Sequence, residues 1–147
     1  MISLPRRSAI AFISLLLITL TATVKADDVP LAMKGYDPVA YFSVAAPTKG
    51  KSEFSHVWDG ERYLFSTAEN RDRFAKEPAR YAPQFPGYCA AALTRGEIVT
   101  PDPQNWIIIE GKLYLFGKSI GPELFRKDPS LVETAKANWA RIHKSKE

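Results

Sequence analysis

Two segments with the pattern of a β-hairpin constrain the fold of this chain more than any other feature of its sequence. Each places a two-residue turn signal, Asp59-Gly60 or Glu110-Gly111, between short runs rich in aromatic and β-branched residues. The predicted strands are Phe54–Trp58, Arg62–Phe65, Trp106–Ile109 and Leu113–Phe116. A helical segment follows each hairpin, so we interpret the pair as a weak repetition within one domain and not as a repeat array.

Two longer helices are predicted from capping residues and apolar spacing. The first of them starts at Ser66 or Thr67, where Ser66-x-x-Glu69 fits a capping box, and Pro78 ends or restarts it. Asp128 and Pro129 fit the N-cap and first position of the last helix. Its apolar residues recur at three- and four-residue spacing and form one stripe: Leu131, Val132, Ala135, Trp139 and Ile142.

Shorter elements complete the expected fold. Tyr88–Leu93 and Pro122–Arg126 are predicted as short helices, and Val39–Phe42 as a strand. Asp37, which precedes a proline, is expected to fix a turn and not to catalyse. The predicted class is α+β, with a small antiparallel sheet built from two hairpins and helices packed on one side.

The first 26 residues have the pattern of a cleaved signal peptide. Arg6 and Arg7 precede the apolar stretch Ala9–Leu20, and Val24-Lys25-Ala26 fits a cleavage site. The apolar stretch is shorter than the roughly 20 residues that a membrane-spanning helix needs. We therefore expect a periplasmic or secreted protein, a single mature domain of residues 27–147, and membrane contact only through an uncleaved signal segment.

The charge balance gives no support to nucleic-acid binding. The chain has 20 Lys and Arg residues against 16 Asp and Glu, but Arg6, Arg7 and Lys25 lie in the signal segment. The mature chain is therefore nearly neutral, and no basic stripe interleaved with aromatic residues remains. A single cysteine cannot form an internal disulfide, so stability must come from the aromatic-rich core.

Cys89 and His56 are the clearest candidates for metal or acid–base chemistry. Cys89 is the only cysteine, and His56 is one of two histidines. A thiolate with an imidazole, and Met33 as a further candidate, suits Cu(I), whereas structural zinc needs four ligands. Two other interpretations stay open: Cys89 as a small buried residue, and His56 as a half-buried histidine on the face of Phe54 and Trp58.

Several spaced motifs resemble the YHS domain, in particular that of small exported bacterial proteins. The resemblance rests on Asp37-Pro38-Val39, on Asp59-Gly60-x-x-Tyr63-x-Phe65-Ser66, and on Phe74, Pro78 and Tyr81. The wider pattern covers most of the mature chain and includes Gly35–Phe42, Tyr81–Ala90 and Ala137–Ile142.

The resemblance implies metal binding through cysteines. YHS domains occur in copper-transporting ATPases and some hydroxylases, and they are thought to bind metal through three cysteines. The three corresponding positions here are Ala40, Ser66 and Asn70, so Cys89, which lies outside the short motif, is the only thiol.

These observations favour an exported YHS-type binding module over an enzyme. Its expected ligand is a soft metal ion such as copper, a small molecule or a partner protein. One alternative is a thiol-dependent enzyme or redox protein that uses Cys89 with His56 as base, which requires the two residues to be close. Another is a non-metal protein-interaction domain that docks on a membrane complex, which requires a large exposed apolar patch.

Overall fold

The computed structural model describes residues 28–86 and 88–144, in which six α-helices and four strands form an α+β fold. The strands are β1 (Lys51–Trp58), β2 (Glu61–Phe65), β3 (Asp102–Ile109) and β4 (Lys112–Phe116). The helices are α1 (Ala40–Ser43), α2 (Ala68–Lys76), α3 (Pro78–Tyr81), α4 (Ala90–Leu93), α5 (Gly121–Lys127) and α6 (Ser130–Lys144). The α+β class predicted from the sequence is confirmed.

The two predicted hairpins are present and form two separate antiparallel sheets, β1 with β2 and β3 with β4. In the first turn φ is 49° at Asp59 and 75° at Gly60, and in the second it is 51° at Glu110 and 72° at Gly111. Two successive positive φ angles define a type I′ turn, whose twist matches that of the flanking strands. The predicted positions of both turns are confirmed.

The two hairpins also share their strand register. In both, the long first strand pairs regularly near the turn and shifts register towards its other end. Equivalent residues lie 51 positions apart, as in the buried pairs Tyr63 and Tyr114, Phe65 and Phe116, and Phe74 and Phe125. The repetition is therefore closer than the sequence alone indicates. We call residues 33–82 the first unit and residues 85–144 the second unit.

Helix α2 is capped by Thr67 and not by Ser66. The Thr67 Oγ1 atom accepts a hydrogen bond from the backbone N–H of Asn70 at 3.1 Å. The helix ends before Glu77, and Pro78 then occupies the first turn of α3, where its missing N–H leaves no hydrogen bond unmade. The predicted restart of the helix at this proline is confirmed.

The strand predicted at Val39–Phe42 is wrong, because this segment turns into helix α1. The carboxylate of Asp37 accepts hydrogen bonds from the backbone N–H groups of Val39 at 2.9 Å and Ala40 at 3.3 Å. Those contacts satisfy the free donors at the start of a helical turn. They outweigh the strand preference of the β-branched and aromatic residues in this segment.

Aromatic rings fill the core of each unit. In the first unit Phe74 is fully buried, and its ring centroid lies 4.7 Å from that of Tyr63. In the second unit Phe125 is equally buried and lies 4.9 Å from Phe116. The predicted apolar stripe of α6 packs on the core of the second unit, with Ala135 fully buried and Trp139 partly buried.

Among the described residues, no helix is long and apolar enough to span a membrane. The predicted signal peptide, residues 1–26, lies outside them.

Candidate functional site

The carboxylate of Asp37 organises the first unit. Its side chain is fully buried, and Oδ1 accepts the backbone N–H groups of Val39 and Ala40. Oδ2 accepts the backbone N–H of Ser66 at 2.8 Å, the Ser66 hydroxyl at 2.7 Å and the Asn70 side-chain amide at 2.7 Å. A buried charge with five donors is well compensated, so the prediction that Asp37 fixes a turn is confirmed.

Cys89 occupies a similar place in the second unit, although it lies 52 positions after Asp37, one residue off the 51-residue spacing. The backbone N–H of Asp37 donates to Thr48 O at 2.8 Å, and that of Cys89 donates to Val99 O at 2.7 Å. A short helix follows each residue, α1 in the first unit and α4 in the second. The thiol of Cys89 therefore stands where the first unit has a carboxylate.

The contacts to the sulfur atom extend this correspondence. Cys89 Sγ accepts the backbone N–H of Gly117 at 3.1 Å, as Asp37 Oδ2 accepts that of Ser66. With the 51-residue spacing, Gly117 corresponds to Ser66 and Gly121 corresponds to Asn70. The two side chains that fill the space around Asp37 are thus missing around Cys89.

A cavity of about 330 Å³ lies beside Cys89 and is bordered by both glycines. The remaining lining residues are Ala91, Ala92, Arg95, Val99, Thr100, Phe116, Lys118, Ile120 and Leu124. The cavity is thus mostly apolar, with two basic side chains at its edge.

The two glycines differ in how much space surrounds them. A Cβ atom at Gly121 would lie 2.4 Å from the ring of Phe116, so this position does not accept a side chain without rearrangement. A Cβ atom at Gly117 would lie 3.5 Å from Val99 and 3.8 Å from Cys89 Sγ, which are ordinary contact distances. Only Gly117 can therefore be used to place a new side chain in the cavity.

The rim of the cavity carries exposed apolar side chains and unevenly paired charges. Val99, Ile120 and Leu124 are 41%, 52% and 44% exposed. Arg95 is paired with Glu97 at 2.7 Å, whereas Lys118 has no carboxylate partner among the described residues. A ligand here would meet an apolar wall, one thiol and one uncompensated cation.

The structure places the predicted site residues in different units. Cys89 is 5% exposed and packs in the core of the second unit. His56 lies on β1, with its ring centroid 6.0 Å from Phe74 in the first unit, and Met33 packs against the same unit. Within the described residues, no group of three His, Cys, Asp or Glu side chains is arranged to hold a metal ion. Metal binding by Cys89 and His56 stays a prediction.

Sequence reasoning missed Gly117 and Gly121, which border the cavity. The signal that identifies them is the alignment of the two units on Tyr63-Leu64-Phe65 and Tyr114-Leu115-Phe116. Serine follows the first triplet and glycine follows the second.

No family model, no curated protein and no solved structure matches this chain.

Proposed function

We propose that this protein is an exported YHS-type binding module whose ligand occupies the cavity beside Cys89. One observation carries the proposal. At equivalent positions of two similar units, side chains fill the space around a buried carboxylate in the first, and a cavity lies beside a thiol in the second. Protein interiors are closely packed, so a cavity of this size beside a soft ligand atom is a natural binding site.

The YHS assignment is supported by the surroundings of Asp37. Ala40, Ser66 and Asn70, the positions at which the YHS pattern has cysteines, all donate hydrogen bonds to this one carboxylate. Residues that converge on a single atom group can also converge on a metal ion when they are thiols. In this chain the hydrogen-bond network of Asp37 takes that place, and the ligand-binding role passes to Cys89.

The lining indicates which ligands fit the cavity. An apolar molecule of modest size, with a negative group near Lys118, matches the walls and the charge. A soft ion such as Cu(I) matches the sulfur, which already receives one backbone N–H donor from Gly117. Because Cys89 is the one thiol, such an ion would bring further ligands of its own.

The thiol-dependent alternative depends on His56 acting as a base for Cys89. His56 packs against Phe74 in the first unit, whereas Cys89 contacts Gly117 in the second. This geometry favours binding over chemistry assisted by His56.

A Cu(I) titration against a competing chelator tests the metal form of the proposal. Reduced exported protein is compared with Cys89→Ser, His56→Ala and Gly117→Ser, the last of which restores the serine of the first unit beside the sulfur atom. We expect Cys89→Ser and Gly117→Ser to weaken binding at least about tenfold, or 1.4 kcal/mol, and His56→Ala to change it little. Equal affinity of wild type and Cys89→Ser eliminates Cys89 as the ligand.

A fluorescent fatty-acid probe tests the cavity for an apolar anion in the same variants. Probe binding that is lost in Gly117→Ser but kept in Cys89→Ser assigns the cavity to such a molecule. Absence of both copper and probe binding refutes the proposed site.

The export itself is tested by mass spectrometry of the periplasmic protein, which should begin at Asp27. An intact N-terminus retained in the membrane contradicts it.

A further inference from the structure

A second cavity, distinct from the one beside Cys89, lies between the turn of the first hairpin and helix α6. Its volume is about 510 Å³, and it is lined by Asp59, Glu61, Pro86, Tyr88, Trp139 and His143. None of these residues borders the Cys89 cavity. The lining combines aromatic rings with carboxylates.

The aromatic rings are contributed by the second unit and lie close together. The centroid of Trp139 is 5.1 Å from that of Tyr88 and 3.9 Å from that of His143. The His143 ring meets the indole edge-to-face, at an interplanar angle of 77°. Tryptophan and tyrosine faces carry negative electrostatic potential and attract cations.

The carboxylates are contributed by the first unit. Among the described residues, neither Asp59 nor Glu61 forms an ion pair. Glu61 is partly buried and accepts a long hydrogen bond of 3.5 Å from the hydroxyl of Tyr63. Partial burial raises the pKa of Glu61 because it removes water from the charged form, and a bound cation would relieve that cost.

We propose that this cavity binds a small organic cation, such as a quaternary or alkylated ammonium group. The rings of Tyr88 and Trp139 supply cation–π attraction, and Asp59 and Glu61 supply the opposite charge. A hard metal ion fits less well, because four of the six lining residues are aromatic or proline and no three-ligand group is present among the described residues. An anion would meet two carboxylates.

The neighbouring groove limits how far such a ligand can extend. That groove shares Pro86 and Trp139 with the cavity but is lined by Lys112 and Lys136. A positive group is therefore favoured at the carboxylate end and disfavoured at the lysine end. The ligand class is a compact cation, not a long polycation.

Choline, titrated into the exported protein and followed by tryptophan fluorescence and by NMR of the indole N–H signals, tests the proposal. Its neutral isostere 3,3-dimethyl-1-butanol has the same shape without the charge. We expect millimolar binding of choline and affinity for the isostere lower by about fivefold or more, which is the size of an exposed cation–π and charge contribution.

Charge-removing variants locate the binding. Asp59→Asn suits the test, because asparagine accepts the positive φ of this turn position, and Glu61→Gln keeps the shape of the side chain. Glu110→Gln is the matched control, since it removes one negative charge at the equivalent turn of the second hairpin, away from the cavity. We expect Asp59→Asn and Glu61→Gln each to weaken choline binding about threefold to tenfold, and Glu110→Gln to leave it unchanged.

Three results overturn the proposal. The first is equal affinity for choline and its isostere. The second is a decrease in choline affinity in Glu110→Gln as large as that in Asp59→Asn, which would indicate nonspecific attraction of the cation to negative charge. The third is the absence of saturable binding below roughly 50 mM choline, which corresponds to a binding free energy of less than about 2 kcal/mol in magnitude.

Discussion

Replacing Asp37 by asparagine should destabilise the protein strongly, although the two side chains have almost the same size. If the new amide keeps its oxygen on the N–H of Val39, its NH₂ group faces the backbone N–H of Ser66. The Ser66 hydroxyl and the Asn70 amide can rotate to present an oxygen, but the backbone N–H cannot. One buried donor is then left unsatisfied, and the remaining hydrogen bonds lose their ionic acceptor.

The magnitude follows from these losses. An unsatisfied buried donor costs about 1–3 kcal/mol, and hydrogen bonds to a charged group are stronger than neutral ones by roughly 1 kcal/mol each. Relief from burying a charge offsets part of this sum. We expect Asp37→Asn to lower the free energy of unfolding by about 2–4 kcal/mol.

Urea unfolding followed by tryptophan fluorescence measures this change, with the slope of free energy against urea checked for constancy. Asp72→Asn is the matched control, because Asp72 pairs with Arg71 on the surface at 2.8 Å and is 59% exposed. Its loss should cost less than about 0.5 kcal/mol. A change below about 1 kcal/mol in Asp37→Asn would refute the view that this carboxylate organises the first unit.

Four further substitutions test the turn, the last helix and the cavity by the same unfolding assay. Gly60→Val should cost about 1–2 kcal/mol from backbone strain alone, since φ is 75° and no atom lies within 4 Å of an added Cβ; unchanged stability would contradict the turn. Trp139→Ala should lower the free energy of unfolding by about 2–4 kcal/mol, which is less than for a fully buried tryptophan because the ring is partly exposed. A decrease under about 1 kcal/mol would mean that α6 is loosely packed. Gly121→Ala should cost about 1–3 kcal/mol because its Cβ would overlap the ring of Phe116, whereas Gly117→Ala should be nearly neutral; equal effects would contradict the cavity geometry.

The parts of the fold that were predictable from sequence depend on local chemistry. Both hairpins were predicted because Asp59-Gly60 and Glu110-Gly111 favour the left-handed conformations that a type I′ turn requires. The last helix was predicted for the same reason, since its cap and apolar stripe lie within a few turns of chain. The strand predicted at Val39–Phe42 was wrong because the capping carboxylate of Asp37 starts a helical turn there, despite the strand-like composition of the segment.

The candidate site was less predictable because it depends on contacts between distant parts of the chain. The sequence identified Cys89, but its hydrogen-bond partner is the backbone N–H of Gly117. Every residue except proline has such a group, so residue types do not indicate which one will be the partner. The pairing with His56 was a chemical hypothesis about two residues that the structure places in different units. The cavity borders Gly117, and the side chain missing there becomes visible only when the two units are aligned.

The three differences between the units support one another physically. A carboxylate at the position of Cys89, without the donors that Ser66 and Asn70 supply to Asp37, would be buried with few hydrogen bonds at a cost of several kcal/mol. A thiol is a small apolar group with weak hydrogen-bonding demands, and one N–H from Gly117 satisfies it. A cysteine at this position therefore does not need the donors that Ser66 and Asn70 supply to Asp37. The cavity that borders Gly117 adjoins this thiol, the atom in the chain best suited to a soft ligand, and for that reason we propose binding in the second unit.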